Sequence, residues 1–438
     1  MNGTAAGPGG DPIGGLHRFG GELVKETGQP PGGQVSLQRQ DGRAGTVQGR
    51  REAFQQPPAR FLRGQHNRVQ RTIYHARKVR SFENGPGLTV TADPAVTNVS
   101  RILTVEGARV VGLEALLGSL RAFAIPMTTK FRGITVREGA LIEGPAGWGE
   151  FSPFAEYGPG ESARWLASAL EAAGTGWPAA VRDRVPVNVT VPAVGPARAY
   201  EIAASSGCRT AKVKVAERDQ TDADDIARVE AVRDALGPDG KVRIDVNGRW
   251  DVAHAARMLA ALAPFGLEYA EQPCMTLDEM AELRRATDVP LAADESIRKA
   301  EDPMRVRAAG AADVVVLKVP PLAGVRAALR IAEACGLPVV VSSAVDTSIG
   351  LAAGLALAGT LPDLPYACGL GTMSLLAGDV TAAPLDPVAG ELPVRRPSVD
   401  PRELSRWEVD PAAWRARAMA AAEFLGEAGV LASLGEAR

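Results

Sequence analysis

From residue 185 onward the chain repeats one pattern. Apolar strand-like runs recur as VPVNVTV (185–191), AKVKV (211–215), VRIDVN (242–247), LEYAEQP (267–273), PLAADE (290–295), DVVVLKV (313–319) and LPVVVSS (337–343). Ala-rich helical stretches such as DADDIARVEAVRDAL separate them. Strands alternating with helices predict a parallel sheet. YACGLG (366–371) supplies an eighth strand, so the expected fold is α/β, a (β/α) barrel of the modified TIM type. An open doubly wound sheet is the alternative, but no GxGxxG follows the first strand.

Barrel strands carry functional side chains at their C-terminal ends. In order these are Lys212 and Lys214, Asp245, Glu271, Asp294, Lys318 and the pair Ser342–Ser343. The steps from Lys214 are 31, 26, 23, 24 and 24 residues, one βα unit each. Such spacing places the charges on neighbouring strands at one height. Three adjacent carboxylates with no cation would drive their pKa values upward. A hard dication relieves that conflict and keeps positions open for substrate. Asp245, Glu271 and Asp294 are therefore the expected ligands of Mg²⁺, which Mn²⁺ can replace. Salt bridging to Lys214 and Lys318 without metal is the structural alternative.

A lysine beside a dication and a second lysine has a depressed pKa and can act as a base. The implied chemistry is proton removal next to a carboxylate, with the metal stabilising the oxyanion. Lys212 shares a strand face with Lys214 because strand side chains alternate. It is either part of the chemistry or a supporting partner of the carboxylates. Arg243 and Asn247 alternate with Asp245 and are expected to face inward. Arg243 then either reaches a substrate carboxylate or pairs with a neighbouring acid. Glu295 points away from Asp294 by alternation unless the strand has ended.

The remainder of the chain reads less regularly. Residues 113–183 predict a small mixed region: a helix over 113–121, strands in ITVREGALIEG, a tight turn at Trp148–Gly149–Glu150, and a helix over 161–173 opened by ESAR. Residues 1–60 contain 14 Gly and 6 Pro, and residues 1–110 hold 15 basic against 8 acidic side chains. Residues 1–108 are accordingly expected to be a low-complexity, disordered extension, or sequence upstream of the true start. The expected organisation is then 109–183 as the first part of an α+β cap, 184–375 as the barrel, and 376–438 as a C-terminal segment packing on both.

Composition excludes several classes. The net charge of −2 argues against a dedicated nucleic-acid binder. No apolar run is long enough to cross a bilayer. The start lacks the order of a secretory signal, so a cytoplasmic location is expected. Cys208, Cys274, Cys335 and Cys368 are too scattered for a disulfide scaffold or zinc site.

The motifs KVK (212–214), DVN (245–247), EQP (271–273), DES (294–296) and LKVP (317–320) together resemble the enolase superfamily, and the two-lysine pattern its muconate-lactonising subgroup. FRGITVREGALIEGPAGWGEFSPFAEY (131–157) is similar to the actinobacterial branch of the o-succinylbenzoate synthases. The resemblance covers about residues 113–400. It implies a cap that closes the barrel mouth, with the loop at Phe131, Arg132 and Gly133 setting specificity. The implied reaction is a Mg²⁺-dependent dehydration of a small-molecule carboxylate in menaquinone biosynthesis. The implied substrate is 2-succinyl-6-hydroxy-2,4-cyclohexadiene-1-carboxylate, and the implied product is o-succinylbenzoate. On this resemblance Lys214 takes the α-proton and returns it to the departing hydroxyl, and Lys318 is the fixed cation over the enolate. Ser342, Ser343 and Thr347 are candidates for contacts to the succinyl group. Racemisation of N-succinylamino acids on the same site, and a non-catalytic binding barrel, are the rival readings. Oligomeric state is not encoded legibly.

Overall fold

The computed structural model describes residues 104–105, 108–109, 112–298 and 304–434. Most of the expected extension at 1–108 lies outside the described residues. Across its C-terminal edge, β1 (Thr104–Val105) and β2 (Ala108–Arg109) form a short antiparallel pair.

The cap begins with α1 (Leu113–Gly118), which is shorter than expected because Arg121 already opens a strand. Three antiparallel strands follow: β3 (Arg121–Phe131), β4 (Ile134–Gly144) and β5 (Gly147–Phe151). The expected turn at Trp148–Glu150 is wrong; these residues lie inside β5. The glycines serve close packing instead. A Cβ at Gly149 would sit 2.1 Å from the Ala169 carbonyl oxygen, and one at Gly144 2.4 Å from that of Ala173. Both carbonyls belong to α2 (Pro159–Gly174), so the sheet can approach that helix only without side chains there. The helix opens at Gly158 with Pro159 in its first turn, not at ESAR; proline is preorganised for that position.

The barrel follows as eight parallel strands: β6 (Arg184–Val191), β7 (Thr210–Lys214), β8 (Lys241–Asp245), β9 (Leu267–Glu271), β10 (Leu291–Ala293), β11 (Val314–Leu317), β12 (Val339–Val341) and β13 (Cys368–Gly371). Neighbours pair in the order β12–β11–β10–β9–β8–β7–β6–β13, and a parallel bridge from Ser342 to Gly369 closes the ring. The helices between them include α3 (Pro196–Ser205), α4 (Asp222–Leu236), α5 (Val252–Leu262), α6 (Leu277–Ala286), α7 (Glu295–Arg298), α8 (Arg305–Ala308), α9 (Val325–Cys335) and α10 (Ser348–Thr360). α4 covers the stretch read as helical from sequence, and Thr221 with Asp224 forms its capping box.

The C-terminal segment serves both parts. β14 (Glu391–Pro393) pairs with β6 of the barrel. After α11 (Pro401–Ser405), β15 (Glu408–Val409) adds a fourth strand to the cap sheet beside β3, and α12 (Ala412–Ser433), interrupted at Gly426, packs on α2. The four cysteines are buried. Among the described residues no helix is long and apolar enough to cross a membrane.

Candidate active site

The parallel registers set the height of the charged residues. Lys214 pairs with Asp245, and Asp245 with Glu271, across β7, β8 and β9. Asp294 follows β10 directly and Lys318 follows β11. The three carboxylates are at most 1% exposed. Lys212 bridges two of them, 2.9 Å from Glu271 and 3.0 Å from Asp245. Lys214 donates to Asp245 Oδ2 at 2.6 Å and to Asn247 Oδ1 at 2.7 Å. Lys318 donates to Asp294 Oδ2 at 2.5 Å. β7 and β11 are four places apart in the eight-membered ring, so Lys214 and Lys318 stand on opposite walls. Both line one cleft together with Asp245, Phe131, Arg132 and Ser343.

Burial opposes the Asp245 carboxylate, but Lys212, Lys214 and Lys318 outweigh it and hold its pKa well below normal. Asp294 is likewise held down, at about 2, by Arg298 and Lys318 against burial. Glu271 goes the other way: burial, then the Asp245 charge, push it up to about 7. Burial pulls Lys214 down, and Lys212 adds to that; Lys212 itself is raised, because Asp245 and Glu271 outweigh its burial.

The donor set suits a hard dication: three carboxylates on consecutive strands, with Glu271 still carrying an unbalanced anionic environment. Among the described residues no three His, Cys, Asp or Glu side chains already converge as a finished cage. Their oxygens turn toward lysines, so ligation requires carboxylates to exchange lysine for metal.

Other expected positions divide. Ser342 and Ser343 line the cleft, and Ser343 Oγ lies 2.9 Å from Thr372 Oγ1, a lining residue the sequence did not single out. Phe131 packs with its ring centroid 5.3 Å from Lys214 Nζ. Arg132 and Gly133 form the turn between β3 and β4, both at positive φ (51° and 81°). Asn247 has left the strand, also with positive φ, and reaches Lys214. Thr347 is a correction: it is fully buried, caps α10 and donates to Glu150 Oε2 at 2.6 Å, away from the cleft lining. For Arg243 the second of the two expected alternatives holds. It is turned from the cleft, donating to Glu268 at 2.6 Å and to the Ala367 carbonyl at 2.7 Å, so its ion pair prevails over any reach to substrate. Glu295 does not point outward, because the strand ends and α7 begins there; it is buried and bound to Arg298 and Asn247.

Residues missed by sequence reasoning join cap to barrel. Glu171 of α2 accepts from Val325 N at 2.6 Å and Arg326 N at 3.2 Å, capping α9 from outside. Glu150 of β5 accepts from Thr347 N and Gly350 N, both at 3.1 Å, doing the same for α10. Arg137 of β4 donates to the Val345 carbonyl at 2.9 Å, fixing a cleft-lining residue of positive φ. A carboxylate at a helix N-terminus satisfies otherwise unpaired N–H groups and complements the helix dipole. Arg298 links Asp294, Glu295 and Tyr157.

Comparison with known proteins agrees with this layout. Residues 122–173 match the enolase N-terminal domain-like family, and residues 196–398 the enolase C-terminal domain-like family. The chain is 71% identical over 301 residues to the o-succinylbenzoate synthase of Thermobifida fusca, covering 69% of this chain and 95% of that protein. It is 56% identical to the o-succinylbenzoate synthase of Mycobacterium tuberculosis, covering 68% and 91%. The crystal structure of muconate lactonizing enzyme from Pseudomonas fluorescens is 25% identical with a TM-score of 0.57, covering 66% of this chain and 98% of that one. Enzymes of this superfamily combine a Lys or His base with divalent metal. The chain belongs to the o-succinylbenzoate synthase family of the enolase superfamily.

Proposed function

We propose that this chain dehydrates 2-succinyl-6-hydroxy-2,4-cyclohexadiene-1-carboxylate to o-succinylbenzoate, a step of menaquinone biosynthesis. The observation that carries the chemistry is the placement of Lys214 and Lys318 on opposite walls of one cleft, with the three carboxylates on the strands between them. A substrate ring held there has one lysine on each face. Lys214, as the free amine, takes the proton α to the carboxylate. The same ammonium then gives that proton to the hydroxyl leaving from the adjacent carbon. Water departs, and the ring gains its third double bond and becomes aromatic. Lys318 stays protonated and offsets the negative charge of the enolate from the other face. Asp245, Glu271 and Asp294 would hold Mg²⁺, or Mn²⁺ in its place; when bound, the ion supplies charge stabilisation to the substrate carboxylate. Lys212 keeps Asp245 and Glu271 in place.

Syn elimination needs one base, whereas racemisation needs one on each face. The relatives' 56–71% identity supports dehydration over racemisation of N-succinylamino acids. The test is an ultraviolet assay of the purified chain with the cyclohexadiene substrate. Product should form with Mg²⁺, stop on chelation and resume on Mg²⁺ or Mn²⁺ addition. No product with metal present would refute the assignment; undiminished turnover after chelation would refute the metal triad.

A further inference from the structure

Tyr157 lies in the cap between β5 and α2, with its ring edge-on to Phe154 and tilted against Trp165. Its hydroxyl oxygen receives two guanidinium groups. Arg132 Nη2, from the β3–β4 turn, donates at 2.9 Å, and Arg298 Nη1, from the barrel, donates at 3.2 Å. Two cations brought to one oxygen repel unless each is balanced elsewhere. Arg132 pairs with Glu156 at 3.2 Å. Arg298 pairs with Asp294 Oδ1 at 3.1 Å and with Glu295. Glu295 Oε1 also accepts from Asn247 Nδ2 at 3.2 Å, and Asn247 in turn accepts from Lys214. An unbroken polar path therefore runs from the cap turn to both Asp294 and Lys214. Among the described residues, the phenolic oxygen is the side-chain hydrogen-bonding link in it between cap and barrel, beside a longer bond from Arg164 of α2 to the Arg298 carbonyl.

We infer that Tyr157 and Arg298 are positioning residues that couple the seating of the Arg132 turn to the orientation of Asp294 and Lys214. The inference rests on the roles proposed above for those two residues. With the turn seated, Arg132 and Arg298 share the hydroxyl, and the remaining donors of Arg298 hold Asp294 and Glu295. With the turn displaced, the Tyr157 hydroxyl loses Arg132 and is left to Arg298 alone, so the position Arg298 gives Asp294, Glu295 and, through Asn247, Lys214 relaxes. A network of this kind is diagnosed by coupling between residues that do not touch, and by local opening.

The experiment uses the full chain. Hydrogen exchange of backbone amides is followed by mass spectrometry without metal or substrate. Tyr157→Phe keeps the ring and removes the oxygen. It should raise exchange several-fold both at 131–134 and at 294–298, with an unchanged circular dichroism spectrum. Faster exchange at 131–134 alone would overturn the coupling, because the hydroxyl would then be a bond local to the cap. In activity assays, Arg132→Met and Arg298→Met should be non-additive in kcat/KM by at least about threefold, and additive once Tyr157→Phe is present. Additivity in the parent chain, or coupling that survives in the Tyr157→Phe background, would overturn the inference. Should Arg298→Met fail to fold, the exchange measurement on Tyr157→Phe decides alone. Lys214→Met separates the two readings: it should abolish turnover, and Tyr157→Phe added to that background should still raise exchange at both 131–134 and 294–298.

Discussion

The β11–β13 side of the barrel mouth meets the cap through buried carboxylates and backbone; the β7–β10 side meets it through a phenol and arginines. On the first side Glu171 and Glu150 cap α9 and α10 from outside, Arg137 holds the Val345 carbonyl, and Ala377 N bonds to the Pro126 carbonyl. On the second, among the described residues, the polar links are Tyr157 to Arg298 and a longer bond from Arg164 to the Arg298 carbonyl. The carboxylate-bearing strands and Lys214 lie under the lightly held side. A cleft that must admit a substrate and then exclude water needs one edge that yields and one that does not. The difference teaches that the helix N-termini of the barrel, which point at the mouth, are used here as anchorage for a second structural part.

The comparison breaks first at the lysines. Lys214→Arg keeps charge but would remove the proposed base, since guanidinium stays protonated. Turnover should fall by about 10²–10⁴-fold, the usual worth of a positioned general base. Lys318→Arg should retain measurable dehydration while losing any racemisation of N-succinylamino acids. A Lys214→Arg enzyme that still dehydrates beside a dead Lys318→Arg enzyme would place the base on β11 instead of β7.

The anchored side should answer in stability. Glu171→Ala leaves the Val325 amide buried without its acceptor, at a cost of about 1–3 kcal/mol. A urea titration reads this directly, and kcat under saturating substrate should stay near that of the parent for the folded fraction. An unchanged urea midpoint would show that the outside cap on α9 contributes nothing.

Glu150 sharpens the same contrast through pH. Burial, and then the Asp346 charge, raise its carboxyl to about 7 from an ordinary 4.5. A folded-state pKa raised in this way means that the native protein binds more protons than the unfolded chain between the two values. Its contribution is therefore fully present below about pH 4.5, and stability falls as pH rises from there to about 7. Urea titrations across that interval should show a decline in the parent that is smaller in Glu150→Gln. Equal slopes in both proteins would remove Glu150 as its source.

Much of this was legible along the chain, and the reason is periodicity. Lys214, Asp245, Glu271, Asp294 and Lys318 sit at strand ends whose spacing is that of one βα unit, so local pattern carried them to one mouth. Arg298 was not legible: it lies one helical turn beyond Asp294, outside any strand alternation. Tyr157, Glu150 and Glu171 act across separations of 141 to 197 residues, and nothing near them in sequence distinguishes a barrel-facing carboxylate from a solvated one. One faint sign existed at α9, which opens after Gly324 with no capping side chain of its own. A buried helix start without a local cap requires an acceptor from elsewhere. Gly149 misled in the opposite way, because a glycine chosen for close approach reads like a glycine chosen for a turn.

Thr347 gives the smallest and most selective test. Its position just past β12 makes it look like a substrate contact, yet its side chain accepts from Ile349 N and donates to Glu150 Oε2. Thr347→Val is nearly isosteric and removes both roles. Loss of an N-cap costs about 1 kcal/mol, so the urea midpoint should drop modestly while KM for the cyclohexadiene substrate stays within about twofold of the parent. Ser343→Ala, at a residue that lines the cleft and accepts from Val345 N, is the comparison and should move KM while also lowering the midpoint, since that amide loses its acceptor. If Thr347→Val raises KM as much as Ser343→Ala does, the buried anchors of the β11–β13 side also shape the substrate pocket, and the division between a holding side and a reacting side fails at that point.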